Sequence, residues 1–246
     1  MAAALNTSMT GARPLWWGFV PYIAASLVHV GARFAGNDAL AAPSKLTLMP
    51  ALALAIVWAG MRLGSRAALG LLLAGIFLSW LGDGAGTFFP GLPTLPMMLL
   101  CFGLAHLCYM RLFWSHLSVR KVPPWALVYA AWWLTLVIVM WPRAGGLALA
   151  VTLYGVVLGG TAVLSTRCHP LIVAGGALFL ASDTILAFRI FALELMPDWT
   201  NGMVMLTYTG GQGLIAAGAL LVLRRRAVVP KAPARPSSPE AAGQGS

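Results

Sequence analysis

Two aspartates lie inside stretches of sequence that are otherwise almost entirely apolar. Asp83 occurs in FLSWLGDGAGTF and Asp183 in FLASDTILAF, whereas the other four acidic residues fall in predicted loops or in the C-terminal segment. An aspartate near the middle of a membrane helix costs about 3 kcal/mol even on the most lenient insertion scale, so such a residue is a functional candidate by default. The structural alternative is that each carboxylate pairs with Lys45 or Arg189, or reaches the outer membrane interface.

Further polar side chains occur at spacings that place them on shared helical faces. His106 and Tyr109 are three residues apart, and Tyr208 and Gln212 are four apart, while Ser182 lies beside the second aspartate. Each has a simpler interpretation, because a buried histidine is often a hydrogen-bonded packing residue and serine or glutamine often ties helices together. Together with the aspartates they provide acids, an imidazole and phenol or amide groups, which is more than packing requires.

The rest of the sequence must position these side chains within a membrane. Of the 246 residues 60% are hydrophobic and 9% charged, whereas roughly a quarter of a soluble domain is charged. A helix needs about 20 apolar residues to cross the hydrocarbon core, which predicts an all-α bundle of eight membrane helices. Continuous rather than alternating apolar runs argue against a β-barrel. The predicted helices are 15–34, 45–60, 67–88, 92–114, 123–141, 144–165, 169–191 and 200–223.

The charge distribution predicts the orientation of this membrane domain, residues 15–223, between disordered ends at 1–14 and 224–246. Of the 16 lysines and arginines, 12 fall on the side of the termini, and the other four are Arg33, Lys45, Arg143 and Arg189. By the positive-inside rule both termini are cytoplasmic. The net charge of +10 is explained by this signal and by anionic membrane lipid, so no nucleic-acid partner is predicted. We expect a multi-pass protein of a bacterial inner membrane, whose oligomeric state the sequence leaves open.

Sequence motifs for metal or nucleophilic catalysis are absent. His29, His106, His116 and His169 fall on different elements, and no HExxH, HxxxH or paired CxxC occurs. Neither GxSxG nor a phosphate-binding GxxxxGK[ST] loop is present. We therefore predict no metal and no cofactor, with a site of two aspartates and one histidine as the remaining metal alternative.

Four segments in chain order carry a family resemblance: GIFLSWLGD, FGLAHLCY, GGALFLASDTILAFRIF and VMLTYTGGQGLI. They contain a Gly-Asp, an Ala-His-x-x-Tyr, a Ser-Asp and a Tyr with a nearby Gln. In these features the chain resembles the YhhN family of membrane proteins, whose characterised members are lysoplasmalogenases, over about residues 45–215. It departs from the family where Lys45 is followed by Leu46 instead of proline, and where GAGTFF follows the Gly-Asp. These departures bear on the substrate rather than on the fold.

The resemblance implies hydrolysis of the vinyl ether bond of a lysoplasmalogen or a related ether lysolipid, releasing a fatty aldehyde and glycerophospho-ethanolamine or -choline. The reaction needs a proton donor and an anion that stabilises positive charge, and two carboxylates in unequal surroundings can meet both needs. We predict Asp183, the deeper residue, as the acid and Asp83 as the base, with the reverse assignment left open. The predicted supporting residues are Lys45, which would meet the lipid phosphate, and His106, Tyr109, Ser182, Tyr208 and Gln212.

A proton-coupled small-molecule transporter or a lipid-binding membrane protein is the alternative function. Intramembrane acids with histidine and tyrosine also form proton relays, and glycine-rich helices permit rocking movements. Against this alternative, the sequence contains no obviously broken pair of helices, although Pro93 and Pro96 come near to breaking the fourth. A third possibility is a scaffold whose buried polar groups only join helices, and it would tolerate neutral replacements of the aspartates.

Overall fold

The computed structural model describes residues 15–60, 63 and 65–228, and this described part of the chain contains helices and no strands. Eight long helices and one short one form a bundle, which confirms the predicted all-α membrane fold. The helices are α1 Val20–Phe34, α2 Asp38–Gly60, α3 Arg66–Asp83, α4 Ala85–Phe88, α5 Thr94–Leu112, α6 Val128–Ala144, α7 Ala148–Ser165, α8 Pro170–Phe191 and α9 Thr200–Val228.

The long helices have the length and composition of membrane-spanning segments. Six stretches of the described chain qualify, and one of them, Pro124–Ser165, contains both α6 and α7. Helix α1 has only 15 residues, but a 3-10 turn at Leu15–Phe19 precedes it, and the two together reach about 32 Å. The protein is therefore an integral membrane protein. The cytoplasmic location of both termini stays a prediction, and residues 1–14 and 229–246 of the predicted disordered ends lie outside the described residues.

Helix α2 begins at Asp38, seven residues before the predicted start at residue 45. The side-chain oxygen of Asn37 accepts a hydrogen bond of 3.1 Å from the amide three residues later and caps the first turn. The helix then continues through Pro43 and Pro50, whereas the prediction treated proline as a helix boundary. As a consequence Lys45 lies inside α2, two turns from its first residue.

Helix α3 ends at Asp83 and not at residue 88 as predicted. The amide of Gly84 donates to the Trp80 carbonyl at 3.0 Å, and the chain then forms the single turn α4. A β-carbon at Gly84 would lie 2.4 Å from the Phe88 ring, so this ring can fold back only over a glycine. Asp83 is therefore the last residue of a helix.

Helices α6 and α7 form a hairpin that turns at Gly145. The φ angle of this residue is +51°, a conformation that residues with a side chain rarely adopt. Helix α6 ends at Ala144 and α7 begins at Ala148, three and four residues later than predicted. The predicted bounds of α5 and α8 are within two residues of those observed.

Helix α9 extends to Val228, past the predicted start of the disordered tail at residue 224. The guanidinium of Arg226 donates to the carbonyl oxygens of His116 and Ser118, the latter at 3.2 Å. His116 belongs to a π-helical turn, Phe113–Leu117, that prolongs α5. The basic side chain is thus held at the end of α9, where the helix dipole also favours positive charge.

Helix α9 is the centre of the bundle and packs most closely against α8. Most of its side chains between residues 200 and 223 are buried, and many are glycine, alanine or threonine, which let backbones approach. A β-carbon at Gly175 would lie 2.8 Å from the Gly211 carbonyl oxygen, and one at Gly211 would lie 3.0 Å from the Gly175 carbonyl oxygen. The two backbones therefore touch, which fixes the position of Asp183 along α9.

Candidate active site

Asp83 and Asp183 line one cavity of about 440 Å³. Its walls come from α1, α2, α3, α5, α8 and α9, so residues far apart in sequence meet there. Of the other predicted site residues, Lys45, Ser182 and Tyr208 also line the cavity, whereas His106, Tyr109 and Gln212 are buried outside its lining.

Asp83 is held by groups from two neighbouring helices. The Tyr208 hydroxyl on α9 donates to its Oδ2 at 2.7 Å, and the Lys45 Nζ on α2 lies 3.4 Å from its Oδ1. The Asp83 side chain is only 5% exposed and sits at the C-terminal end of α3, where the helix dipole disfavours negative charge. The ammonium and the phenol offset part of both costs by stabilising the carboxylate. The expected pairing of an intramembrane acid with Lys45 is thus observed for Asp83.

Asp183 has a different set of partners. It accepts a hydrogen bond from the Tyr154 hydroxyl on α7, and its Oδ2 lies 3.8 Å from Nε2 of His106 on α5. Within the described residues no lysine or arginine nitrogen lies within 4 Å of it. Arg189, the other proposed partner, donates instead to Thr200 Oγ1 at 2.7 Å. The two carboxylates on the cavity therefore have unequal surroundings.

A smaller apolar cleft of about 40 Å³ adjoins the cavity at Asp183. The two spaces share Met98, Phe102 and Leu186 as walls. Beyond these residues the cleft is lined by aliphatic and aromatic side chains of α5, α6, α7 and α8. An apolar chain in the cleft would therefore end beside Asp183, with the polar cavity on the other side.

Comparison with known proteins assigns most of the chain to a family. The model of the YhhN family matches residues 40–219, a range that includes both aspartates and most of the bundle from α2 to α9. The chain belongs to the YhhN family. No curated protein and no solved structure matches it. Helix α1, at Val20–Phe34, lies outside the part that the family model covers.

In this YhhN protein His106 is oriented by Thr161 on α7. The Thr161 hydroxyl donates to the Val157 carbonyl at 2.8 Å and lies 3.1 Å from Nδ1 of His106. Because the hydroxyl hydrogen points to the carbonyl, its oxygen accepts from Nδ1–H, and Nε2 is the ring nitrogen that remains for Asp183. Nε2 lies 3.4 Å from the Tyr154 hydroxyl and faces Asp183. His106 thus belongs to the surroundings of one carboxylate without contacting the cavity.

Tyr109 and Gln212 form a separate buried network. The Tyr109 hydroxyl donates to Oε1 of Gln212 at 2.7 Å, and Nε2 of Gln212 donates to Ser79 Oγ at 3.1 Å. These bonds join α5, α9 and α3 one turn away from Tyr208. Ser182 donates to the Val204 carbonyl at 2.9 Å, so it links α8 to α9 even though it lines the cavity. Three of the predicted supporting residues, Tyr109, Gln212 and Ser182, therefore join helices to one another.

Sequence analysis missed Tyr154, Thr161, His29 and Arg33 as site residues. Only its residue type could have indicated Tyr154 as a site residue. The chain has only five tyrosines, and a buried phenol usually needs a hydrogen-bond partner. Its spacing to other polar residues gave no signal. The sequence also gave no indication that α1 borders the cavity, where His29 and Arg33 form part of the lining.

The described residues contain no group of three or more His, Cys, Asp or Glu side chains that could hold a metal ion. The alternative of two aspartates with one histidine would need Asp83, Asp183 and His106 together. Only Asp183 is within 4 Å of His106, whereas Asp83 is paired with Lys45. The described side chains therefore do not assemble that ligand set.

Proposed function

We propose that this YhhN protein is a lysoplasmalogenase-like hydrolase that cleaves the vinyl ether bond of a lysoplasmalogen or related ether lysolipid. The observation that carries the proposal is the pair of carboxylates on one cavity, one beside an ammonium and the other beside a phenol and an imidazole. Family membership supports the same activity.

The reaction requires proton transfers and water, and no covalent enzyme intermediate. A carboxylic acid protonates the vinyl carbon distal to oxygen, which leaves an oxocarbenium ion. Water adds to the carbon next to oxygen and loses a proton to the second carboxylate, giving a hemiacetal. The first carboxylate then removes the hemiacetal hydroxyl proton while the second returns its proton to the departing glycerol oxygen. The products are an aldehyde and the glycerophosphodiester, and both carboxyl groups regain their starting states.

The surroundings of the two aspartates favour one assignment of these roles. Asp83 has an ammonium at 3.4 Å and a phenol donor at 2.7 Å, so it suits the anion that stabilises positive charge and accepts the proton of water. Asp183 borders the apolar cleft and has no such cation beside it, so it is the carboxyl group left for the role of proton donor. The apolar cleft, about 40 Å³ in volume, would take the part of the alkenyl chain nearest to the vinyl ether, so the vinyl ether would lie next to Asp183.

The full-length protein, purified in detergent, tests this proposal with a 1-alkenyl lysophosphatidylethanolamine as substrate. We expect aldehyde release, and a loss of at least about 100-fold in kcat for Asp83→Asn and for Asp183→Asn. Asp198→Asn, which changes an acid in the loop before α9, is the matched control and should retain wild-type activity. Folded Asp83→Asn and Asp183→Asn variants with full activity would contradict the two-carboxylate mechanism.

Isotopes distinguish this chemistry from other routes to the same products. In deuterated water the aldehyde should gain one deuterium on the carbon next to its carbonyl, because that carbon is protonated first. In ¹⁸O-labelled water the glycerol product should contain no label, because the bond to the vinyl carbon breaks. Uptake of substrate into proteoliposomes without any aldehyde would instead support a transporter.

A further inference from the structure

The cavity carries polar groups that the acid–base chemistry does not use. His29 and Arg33 on α1 line it together with the two aspartates, and Arg33 pairs with the exposed Asp38 at 2.9 Å. Both α1 residues lie outside residues 40–219, the part of the chain that the family model matches. Their role therefore has to be derived from their own contacts.

His29 presents an unused hydrogen-bond acceptor. Its Nδ1 lies 2.9 Å from Oγ of Ser44, and the Ser44 hydroxyl donates to the Leu40 carbonyl at 2.6 Å. The Ser44 oxygen therefore accepts from Nδ1–H, which leaves the lone pair on Nε2. Nε2 is buried without any hydrogen-bond partner in the described structure, and His29 is only 1% exposed.

Burial of His29 and the charges around it both favour the neutral ring. Arg33 and Lys45 line the same cavity, and two cations disfavour a third positive charge nearby. A neutral Nε2 can only accept, so the ligand that satisfies it must supply an O–H or N–H group. A ligand ammonium would be repelled by Arg33 and Lys45, whereas a hydroxyl would not.

We propose that Nε2 of His29 accepts a hydrogen bond from the free sn-2 hydroxyl of the glycerol lysolipid. This inference rests on the proposed function and deepens it: His29 becomes the residue that selects lysolipids over lipids without that hydroxyl. A buried acceptor left without a partner carries a desolvation cost. A site built to bond a hydroxyl strongly rejects an analogue that lacks it.

Arg33, His29 and Asp183 lie at increasing distances from the ends of their helices. Arg33 is next to the last residue of α1, and His29 lies one turn deeper, about 6 Å along the helix axis. Asp183 lies eight residues before the end of α8, about 12 Å along its axis. A lysolipid presents in turn a phosphate, the sn-2 hydroxyl, the vinyl ether and the chain. Arg33, His29, Asp183 and the apolar cleft would meet these groups in that sequence.

Arg33 is better placed for the phosphate than Lys45, the residue predicted from the sequence. Lys45 is within 4 Å of Asp83, and a phosphate drawn to it would compete with that carboxylate. Arg33 has an exposed carboxylate as its partner, and exposed pairs are weak enough to be exchanged for a phosphate. The hydroxyl next to the phosphate would then reach His29.

The experiment compares two substrates on the purified full-length protein. One is a 1-alkenyl lysophosphatidylethanolamine, and the other is its 2-deoxy analogue with the same chain and headgroup. We expect kcat/KM of the wild type to favour the hydroxylated substrate by about 10-fold to 100-fold. His29→Leu should remove this preference by slowing only the hydroxylated substrate. His29→Gln, whose amide oxygen can accept in place of Nε2, should keep most of it.

Two results would overturn the assignment. Equal hydrolysis of both substrates by the wild type would contradict the role of His29. A His29→Leu variant that hydrolyses both substrates more slowly by the same factor would also contradict it, because that pattern indicates a structural role. If no substrate yields aldehyde, the proposed function fails separately. The dissociation constants of non-hydrolysable 1-alkyl lysolipid and its 2-deoxy analogue then decide whether the sn-2 hydroxyl is recognised at His29.

Discussion

Tyr208 and Asp83 are 125 residues apart in sequence, and a 2.7 Å hydrogen bond joins the tyrosine hydroxyl to Oδ2 of the aspartate. The bond connects the central helix α9 to the end of α3. Asp183 likewise accepts a hydrogen bond from a tyrosine hydroxyl, that of Tyr154 on α7. Each buried carboxylate thus receives a phenol from a different helix, and only Asp83 also has an ammonium. This difference is the basis for assigning them different roles.

Removing the Tyr208 hydroxyl should remove a hydrogen bond that stabilises the Asp83 carboxylate. We expect Tyr208→Phe to lower kcat for vinyl ether hydrolysis by about 10-fold, since one charge-assisted hydrogen bond is lost. The ring should keep its edge contacts with Phe102 and Phe179, so thermal unfolding should change little. Tyr129→Phe, at a tyrosine of α6 away from the cavity, is the control. A Tyr208→Phe variant with wild-type kcat would remove this hydrogen bond from the mechanism.

The Lys45 and Asp83 pair should behave as a coupled unit. Lys45→Met leaves Asp83 buried without its cation, and we expect a loss of about 3 kcal/mol in stability. Asp83→Asn in the same chain removes the unpaired charge, so the double variant should unfold at a higher temperature than Lys45→Met alone. Thermal unfolding in detergent measures all four proteins. Additive effects of the two changes would mean that the charges do not interact.

The two aspartates were predicted as site residues because placing a carboxylate in an apolar membrane helix costs free energy. This argument needs no knowledge of packing. The spacing of four residues also correctly placed Tyr208 and Gln212 on one face of a helix. It could not assign their partners, because Tyr208 bonds to α3 and Gln212 to α5 and α3. Such pairings depend on how helices dock, which no local periodicity encodes.

Two helix bounds were predicted wrongly, for different reasons. Proline punctuation placed the start of α2 after Pro43, but capping by Asn37 and tertiary packing carry the helix through it. The end of α3 was missed because AGTFF, the segment after Gly84, contains no charged residue and no proline. His29 was missed because an isolated histidine carries no pattern, and its unpaired Nε2 becomes visible only once α1 is packed on α2.

Close packing of α8 on α9 should be sensitive to a single methyl group. Gly175→Ala would put a carbon 2.8 Å from the Gly211 carbonyl oxygen, so we expect a loss of about 1–3 kcal/mol in stability and reduced hydrolysis as Asp183 shifts. Gly31→Ala is the matched control, because no atom lies within 4 Å of its added carbon and alanine favours the helix. Equal melting temperatures for Gly175→Ala and Gly31→Ala would contradict the observed contact.

Cys168, in the connection between α7 and α8, should resist thiol reagents at neutral pH. Burial raises the pKa of its thiol to about 12, so at pH 7.5 fewer than about one thiol in 10,000 is ionised, and only the thiolate reacts. In a Cys101→Ala/Cys108→Ala background, maleimide labelling should rise about tenfold per pH unit between about pH 7 and pH 9, well below that pKa. The same chain unfolded in SDS should label rapidly at pH 8. Rapid labelling of the folded protein at pH 8 would show that the site is open.

Thr161 should control Asp183 through the tautomer of His106. Its hydroxyl oxygen accepts from Nδ1–H while its hydrogen goes to the Val157 carbonyl, which leaves Nε2 as the ring nitrogen facing Asp183. In Thr161→Val the ring can place its hydrogen on Nε2, where it would donate to Asp183 and compete with the Tyr154 hydroxyl for that side chain. We expect kcat to fall about 10-fold or more with KM unchanged, and Thr161→Ser to restore it. A Thr161→Val enzyme with normal kcat would mean that His106 only fills space between α5, α7 and α8.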